Sequence, residues 1–166
     1  MSCEERVTHE FPPVYDGNSR VLILGSIPSP RSRELGFYYM HPQNRFWRML
    51  CEVLGEKVPE SIEGRRQLCL SNGVALWDVL ASCDIRGASD SSIKNAEPND
   101  LQIIFRAADI RQVFTTGKTA YRLYCRYFGE ERPAVCLPST SPANRTISEE
   151  EMLRQYREII RYLDRE

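Results

Sequence analysis

Two stretches of the chain concentrate residue types that can do chemistry. In Gly25-Ser26-Ile27-Pro28-Ser29-Pro30, small and rigid residues let backbone approach a ligand closely while the prolines fix the loop. Taken alone, the same residues also fit a tight strand-to-helix connection. The stretch from Phe37 to Trp47 is less ordinary, because it packs aromatic rings, the amides of Gln43 and Asn44, His41 and Arg45 into one segment. Such a segment suits a flat heteroaromatic ligand, with a ring to stack on an extruded base and amide or backbone groups to read its edge. Within it, Phe46 and Trp47 are expected to be core anchors of the following helix.

Three further segments add polar groups. Gly73-Val-Ala-Leu-Trp77-Asp78 sets a carboxylate at a strand end, where it can accept hydrogen bonds from a base edge or serve as an ordinary cap. Thr115-Thr116-Gly117-Lys118 is a glycine turn before a helix, with a cation suited to phosphate. Leu137-Pro138-Ser139-Thr140-Ser141-Pro142-Ala143-Asn144-Arg145 can hold a phosphate through hydroxyls and N–H groups and push small side chains into a vacated base site. It can also simply lead into the last helix.

Hydrophobic patterning supplies the elements that position these residues. Arg20 to Gly25 is a short apolar run suited to a parallel strand buried on both faces. Phe46, Met49, Leu50, Val53 and Leu54 fall at helical spacing before Gly55 and predict a helix over 44–54. A helix from Ile62 to Leu70 precedes a strand from Val74, and helices 100–108 and 118–128 alternate with strands 111–115 and 134–137. Ser148 and Glu151 form a capping-box pattern that opens a final helix running to Leu163. The polar stretch from Ala81 to Asn99 reads as a long active-site loop. The alternation implies a three-layer α/β/α sandwich around a mostly parallel four-stranded sheet. Ligands of such sheets bind at the carboxyl ends of the strands, where the segments above converge.

Composition bounds the rest. At 166 residues the chain suits a single domain, with about residues 1–15 as an N-terminal extension. With 22 basic and 23 acidic residues its net charge is -1, so any nucleic-acid footprint must be local. The polar start and the absence of a long apolar run predict an intracellular, cytoplasmic protein without membrane association. Six cysteines without a CxxC pair, beside two histidines, signal neither zinc nor an iron–sulfur cluster and are expected to be reduced thiols.

The pairing of Gly25-Ser-x-Pro-Ser29 with Tyr38-Tyr-x-His-Pro-x-Asn-Arg-Phe-Trp47 resembles the base-binding region of the mismatch-specific branch of the uracil-DNA glycosylase superfamily. It is most similar to that superfamily's hypoxanthine-DNA glycosylases. The 137–145 segment resembles the superfamily's minor-groove loop, and Asp78 lies where relatives carry an amide residue at the pocket floor. Two departures matter. Ile27 stands where mismatch-specific relatives have asparagine, and Ser139 where uracil-specific enzymes have histidine; both count against efficient uracil removal.

The resemblance implies a monofunctional glycosylase acting on DNA that contains a deaminated base, hypoxanthine first. Asn44 would position the attacking water, although an N-cap role for it stays open. Ser26 and Ile27 would hold base or water through backbone groups, and Asp78 or Ser139 would stabilise the leaving purine. Tyr39 or Phe37 would stack on the base, and His41 is a further contributor. Ser29, Lys118, Ser141, Pro142, Ala143, Asn144 and Arg145 would contact DNA. Metal and cofactor are expected to be absent, no lysine stands out as a Schiff-base nucleophile, and a monomer is expected. The alternatives are a uracil or mismatch glycosylase and a catalytically silent binder of damaged DNA.

Overall fold

The computed structural model describes residues 3–164. Four parallel strands form the central sheet in the order β3-β2-β6-β7: β2 (Val21–Gly25), β3 (Val74–Asp78), β6 (Gln112–Thr116) and β7 (Ala134–Leu137). Every residue of β2 and β3 is buried. That is the signature of strands covered on both faces, and it explains why they read as unbroken apolar runs. The helices that flank the sheet are α1 (Pro30–Leu35), α2 (Phe46–Leu54), α3 (Ile62–Ser71), α4 (Gln102–Ala107), α5 (Lys118–Phe128) and α6 (Glu149–Tyr156). No helix among the described residues is long and apolar enough to cross a membrane.

A second sheet departs from the expected loop. Residues 80–98 form a hairpin of β4 (Leu80–Arg86) and β5 (Ser89–Pro98), and β1 (Glu4–Thr8) pairs with the outer side of β4 in the order β1-β4-β5. The sequence hides β5 because most of its residues meet solvent and just Ile93 and Ala96 pack against the core, so Ser89-Asp-Ser-Ser-Ile-Lys-Asn-Ala-Glu carries no alternating apolar pattern. Pairing with β4 satisfies its backbone, with register shifts along the ladder that bend the ribbon. Residues 4–14 are likewise built in: Val7, 4% exposed, lies opposite Cys83, and Val14 bridges Leu76.

The corner between the two sheets is fixed by one side chain. Buried Asn99 donates from Nδ2 to the carbonyls of Asp78 (2.9 Å) and Leu80 (3.0 Å), while its own N–H bonds Val79 O. Val79 N–H and Leu80 N–H in turn bond the carbonyls of Gly25 and Ser26. The chain therefore leaves the parallel sheet immediately after Asp78, and its carboxylate is held at the strand end.

Other boundaries shift slightly. α2 begins at Phe46 rather than at 44, because Asn44 Oδ1 accepts Phe46 N–H (2.9 Å) ahead of the first turn. The last helix changes at Arg157–Tyr162 into a 3₁₀ turn instead of running on as α-helix to Leu163; Ser148 caps its start by accepting Glu151 N–H (3.1 Å). All six cysteines are free thiols, and burial pushes those of Cys51 (to about 11) and Cys69 up.

Candidate active site

A cleft of about 330 Å³ opens at the carboxyl ends of β2, β3 and β6. Its walls come from the loops after β2 and β7, the segment before α2, and the tip of the β4–β5 hairpin. Of the residues singled out from sequence, Ser26, Ile27, Ser29, Tyr39, His41, Asn44, Asp78, Ser139, Ser141, Pro142 and Ala143 line it. Phe37, Lys118, Asn144 and Arg145 do not.

Asp78 forms the floor. Its carboxylate, 5% exposed, accepts a hydrogen bond from His9 at 2.8 Å, and the His9 side chain is itself 2% exposed. His9 reaches this position because β1 delivers it beside β4, where it packs between Phe11 and Tyr38 with ring centroids at 4.5 and 5.8 Å. Its Nδ1 is buried and unpartnered, which fits the tautomer with hydrogen on Nε2, since a bare lone pair is cheaper to bury than an unpaired N–H. The other Asp78 oxygen lies beneath Gly25. A Cβ there would sit 2.5 Å from Asp78 Oδ1, so glycine is required for the close approach of loop and carboxylate.

Tyr39 supplies the aromatic wall. Its ring stacks on Phe46 with centroids 3.8 Å apart and planes 16° from parallel, and its hydroxyl bonds Thr116 Oγ1 at 3.0 Å. Burial, with a lesser contribution from the Asp78 charge, holds its hydroxyl well above the usual phenol range, so it stays protonated. Tyr39 has φ 56°, a left-handed conformation costly for a bulky side chain and accepted here to aim the ring. Phe37 is 1% exposed and stacked on Trp47 at 5.8 Å, with Arg66 against its ring, so it is core and cannot reach a ligand. Phe46 and Trp47 are buried in that core too, and Trp47 Nε1 donates to Tyr38 O (2.9 Å).

Asn44 lines the cleft half-buried. Its Oδ1 is engaged by Phe46 N–H, which leaves the Nδ2 group as the donor it can offer. His41, exposed at the mouth, accepts Gln43 N–H on Nδ1 (3.1 Å), leaving Nε2 free. Ser29 caps α1 by accepting Ser32 N–H (3.2 Å).

The Ser139–Asn144 loop is built from short hydrogen-bonded turns. Ser139 Oγ accepts Ser141 N–H, Ser141 Oγ accepts Ala143 N–H, and Asn144 Nδ2 donates to Ser139 O. Arg45 binds the loop to the α2 side, donating to the carbonyls of Ser141 (3.0 Å) and Asn144 (2.6 Å), while its N–H bonds Thr140 O. Both serine hydroxyls act as acceptors within the loop and keep their own hydrogens for an external acceptor. Lys118, the first residue of α5, and Arg145 are exposed outside the cleft.

Sequence reasoning missed two groups of the site, one behind the cleft floor and one in its lining. His9 stands alone in a polar N-terminal stretch, and only its pairing with the distant Asp78 reveals it. Asp90 lies in the segment read as an active-site loop, but nothing in Ser-Asp-Ser-Ser marks it. Asp90 is exposed at the hairpin tip; Ser26 Oγ donates to its Oδ1 (3.1 Å), and partial desolvation by the cleft around it, then the Asp78 charge, raises its carboxyl above the ordinary value. Among the described residues no lysine or arginine lines the cleft.

Comparison with known proteins agrees with this architecture. Residues 12–164 match the uracil DNA glycosylase superfamily. A hypoxanthine DNA glycosylase of Methanosarcina barkeri is 37% identical over 139 residues, covering 81% of this chain and 87% of that protein. A second, from Methanosarcina acetivorans, is 35% identical, covering 83% and 89%. The solution NMR structure of a Methanosarcina acetivorans protein, described as a candidate uracil DNA glycosylase, superposes with a TM-score of 0.76 at 32% identity, covering 90% of this chain and 96% of that one. With the match running nearly end to end over a parallel sheet whose strand ends hold the expected cleft, this chain belongs to the uracil DNA glycosylase superfamily.

Proposed function

We propose that the protein is a monofunctional DNA glycosylase that hydrolyses the N-glycosidic bond of a deaminated nucleotide, hypoxanthine first. The observation that carries the reading is the Asp78 floor. A carboxylate fixed by His9 can only accept hydrogen bonds. Hypoxanthine offers N1–H to such a group, whereas adenine presents a bare N1 lone pair that the carboxylate repels. Stacking on Tyr39 would supply the non-specific part of base binding.

In this mechanism the nucleotide is flipped into the cleft and the small residues Pro142 and Ala143 fill the space it vacates. Departure of the base leaves an oxocarbenium-like sugar that water captures. The Asn44 Nδ2 group and the backbone of Ser26 and Ile27 hold water and base in line. Serine hydroxyls of the 139–144 loop contact phosphate, and Lys118 and Arg145 lie outside the cleft where the DNA backbone would pass. Lys118 opens α5 with no acidic residue in the first turn, an arrangement that a phosphate complements. A cleft without lysine is consistent with direct hydrolysis, since no amine is at hand to form a Schiff base.

Release of free base from oligonucleotides containing hypoxanthine, xanthine, uracil or adenine, with Asn44→Ala in parallel, tests the reading. Hypoxanthine release that falls with Asn44→Ala is expected. Release of uracil alone overturns the substrate assignment, and binding to abasic-site DNA without any release points to a silent binder.

A further inference from the structure

Hydrolysis needs a group to take the proton of the attacking water, and at the floor and walls of the cleft Ile27, Asn44 and Asp78 are not free to do so. Ile27 has no polar side-chain atom, Asn44 Oδ1 is engaged by Phe46 N–H, and Asp78 is committed to His9 and, in the reading above, to the edge of the base. We propose that Asp90, carried to the cleft by the tip of the β4–β5 hairpin, is the general base of the reaction, a role that rests on the glycosylase reading above.

The geometry suits that task. Asp90 lines the cleft, and the Ser26 O–H holds one of its oxygens against the loop after β2. The second oxygen has no protein partner among the described residues and is available to a water. The titratable groups around it are the Asp78 carboxylate from β3, backed by His9; His41 from the segment before α2; Cys83 from β4; and Tyr38 and Tyr39, whose hydroxyls are engaged by Pro12 O and Thr116 Oγ1. No lysine or arginine among the described residues lines the cleft to stabilise its charge, so partial desolvation and the neighbouring Asp78 make Asp90 a somewhat stronger base than a fully solvated carboxylate, and the Ser26 hydrogen bond partly offsets this. In the step, the bond from C1′ to the base nitrogen breaks to leave the oxocarbenium-like sugar, and the water oxygen then bonds C1′. The electron pair of the broken bond leaves with the base, and the water's proton passes to Asp90. The charged base then takes up a proton from solvent or from Asp90 itself.

Single-turnover excision of hypoxanthine by Asp90→Asn, across pH, tests this. The rate is expected to fall by about 10²–10⁴-fold, the usual yield of general acid–base catalysis. Affinity for DNA carrying an abasic-site analogue should change by less than about threefold. The wild-type rate should drop on the acid side with an apparent pKa above the ordinary carboxylate range, and this limb should vanish in Asp90→Asn. Ser26→Ala, which removes the hydrogen bond favouring the carboxylate, should move the limb to higher pH even where the asparagine variant folds poorly. Retention of both rate and acid limb in Asp90→Asn, or an unmoved limb in Ser26→Ala, overturns the assignment of Asp90 while leaving the glycosylase intact. A wild type that releases no deaminated base overturns the glycosylase reading, and Asp90's role with it.

Discussion

Replacing Gly25 with alanine probes how tightly the Asp78 floor is held. The new Cβ would lie 2.5 Å from Asp78 Oδ1, about 0.9 Å inside an ordinary van der Waals contact of 3.4 Å. A free aspartate would swing aside cheaply. Asp78 cannot, because its other oxygen is bonded to His9 at 2.8 Å and its backbone carbonyl is clamped by Asn99. Either the carboxylate or the Gly25–Ser29 loop must move by most of that distance. Overpacking of this kind costs about 1–3 kcal/mol of stability, which leaves the protein folded and measurable by urea denaturation. A displacement near 1 Å at a reacting site costs about 10²-fold in rate, or roughly 2.7 kcal/mol of transition-state stabilisation. Single-turnover excision of hypoxanthine should therefore fall about 100-fold in Gly25→Ala. The clash disappears when the carboxylate is absent, so in an Asp78→Ala background the alanine at 25 should lower the rate by no more than about twofold beyond the single Asp78 variant. A Gly25→Ala enzyme with wild-type rate, or full additivity of the two substitutions, would refute the idea that glycine is there to admit the Asp78 carboxylate.

Other outcomes follow from the same contacts. His9→Phe leaves a buried carboxylate without its donor and should lose about 3 kcal/mol in denaturant unfolding; His9→Gln, whose amide N–H reaches a similar position, should recover much of it and restore discrimination against adenine. Asn99→Ala removes two bonds to the β3–β4 corner, at a cost of about 2 kcal/mol, and should lower excision further than its stability loss explains. Arg45→Lys cannot hold the carbonyls of Ser141 and Asn144 together and should weaken abasic-site DNA binding by about tenfold with little change in Tm. The raised Asp90 carboxyl opposes folding at neutral pH, because an acid whose folded pKa lies above its unfolded one is destabilising once ionised. Asp90→Asn should thus raise Tm near pH 7 while lowering activity, and the gain should vanish as pH falls below the ordinary carboxylate range. Because Asp90 is exposed the gain should be small, and an unchanged Tm across that range would count against a raised Asp90 carboxyl.

Short-range pattern makes one part of the architecture legible from the residues alone. The β2 and β3 runs are legible because strands buried on both faces need unbroken apolar side chains, and β6 and β7 because short apolar runs alternate with the helices. α5 is legible from 118 to 128 because helical spacing and a preceding glycine define it. The loops at the strand ends, and the residues Ser26, Tyr39, Asn44, Asp78 and Ser139 on them, are placed once the sheet is parallel. Only tertiary structure decided what depends on partners distant in the chain. β5 exists as a strand because β4 pairs with it, not because of its own polar residues. Phe37 and Tyr39, two positions apart, differ in role because packing on Trp47 buries one ring while a left-handed backbone at 39 turns the other to the cleft. His9 gains its meaning from Asp78, 69 residues away, and Asp90 from Ser26, 64 residues away. A carboxylate's chemistry is set by what surrounds it, and those surroundings are assembled by the fold.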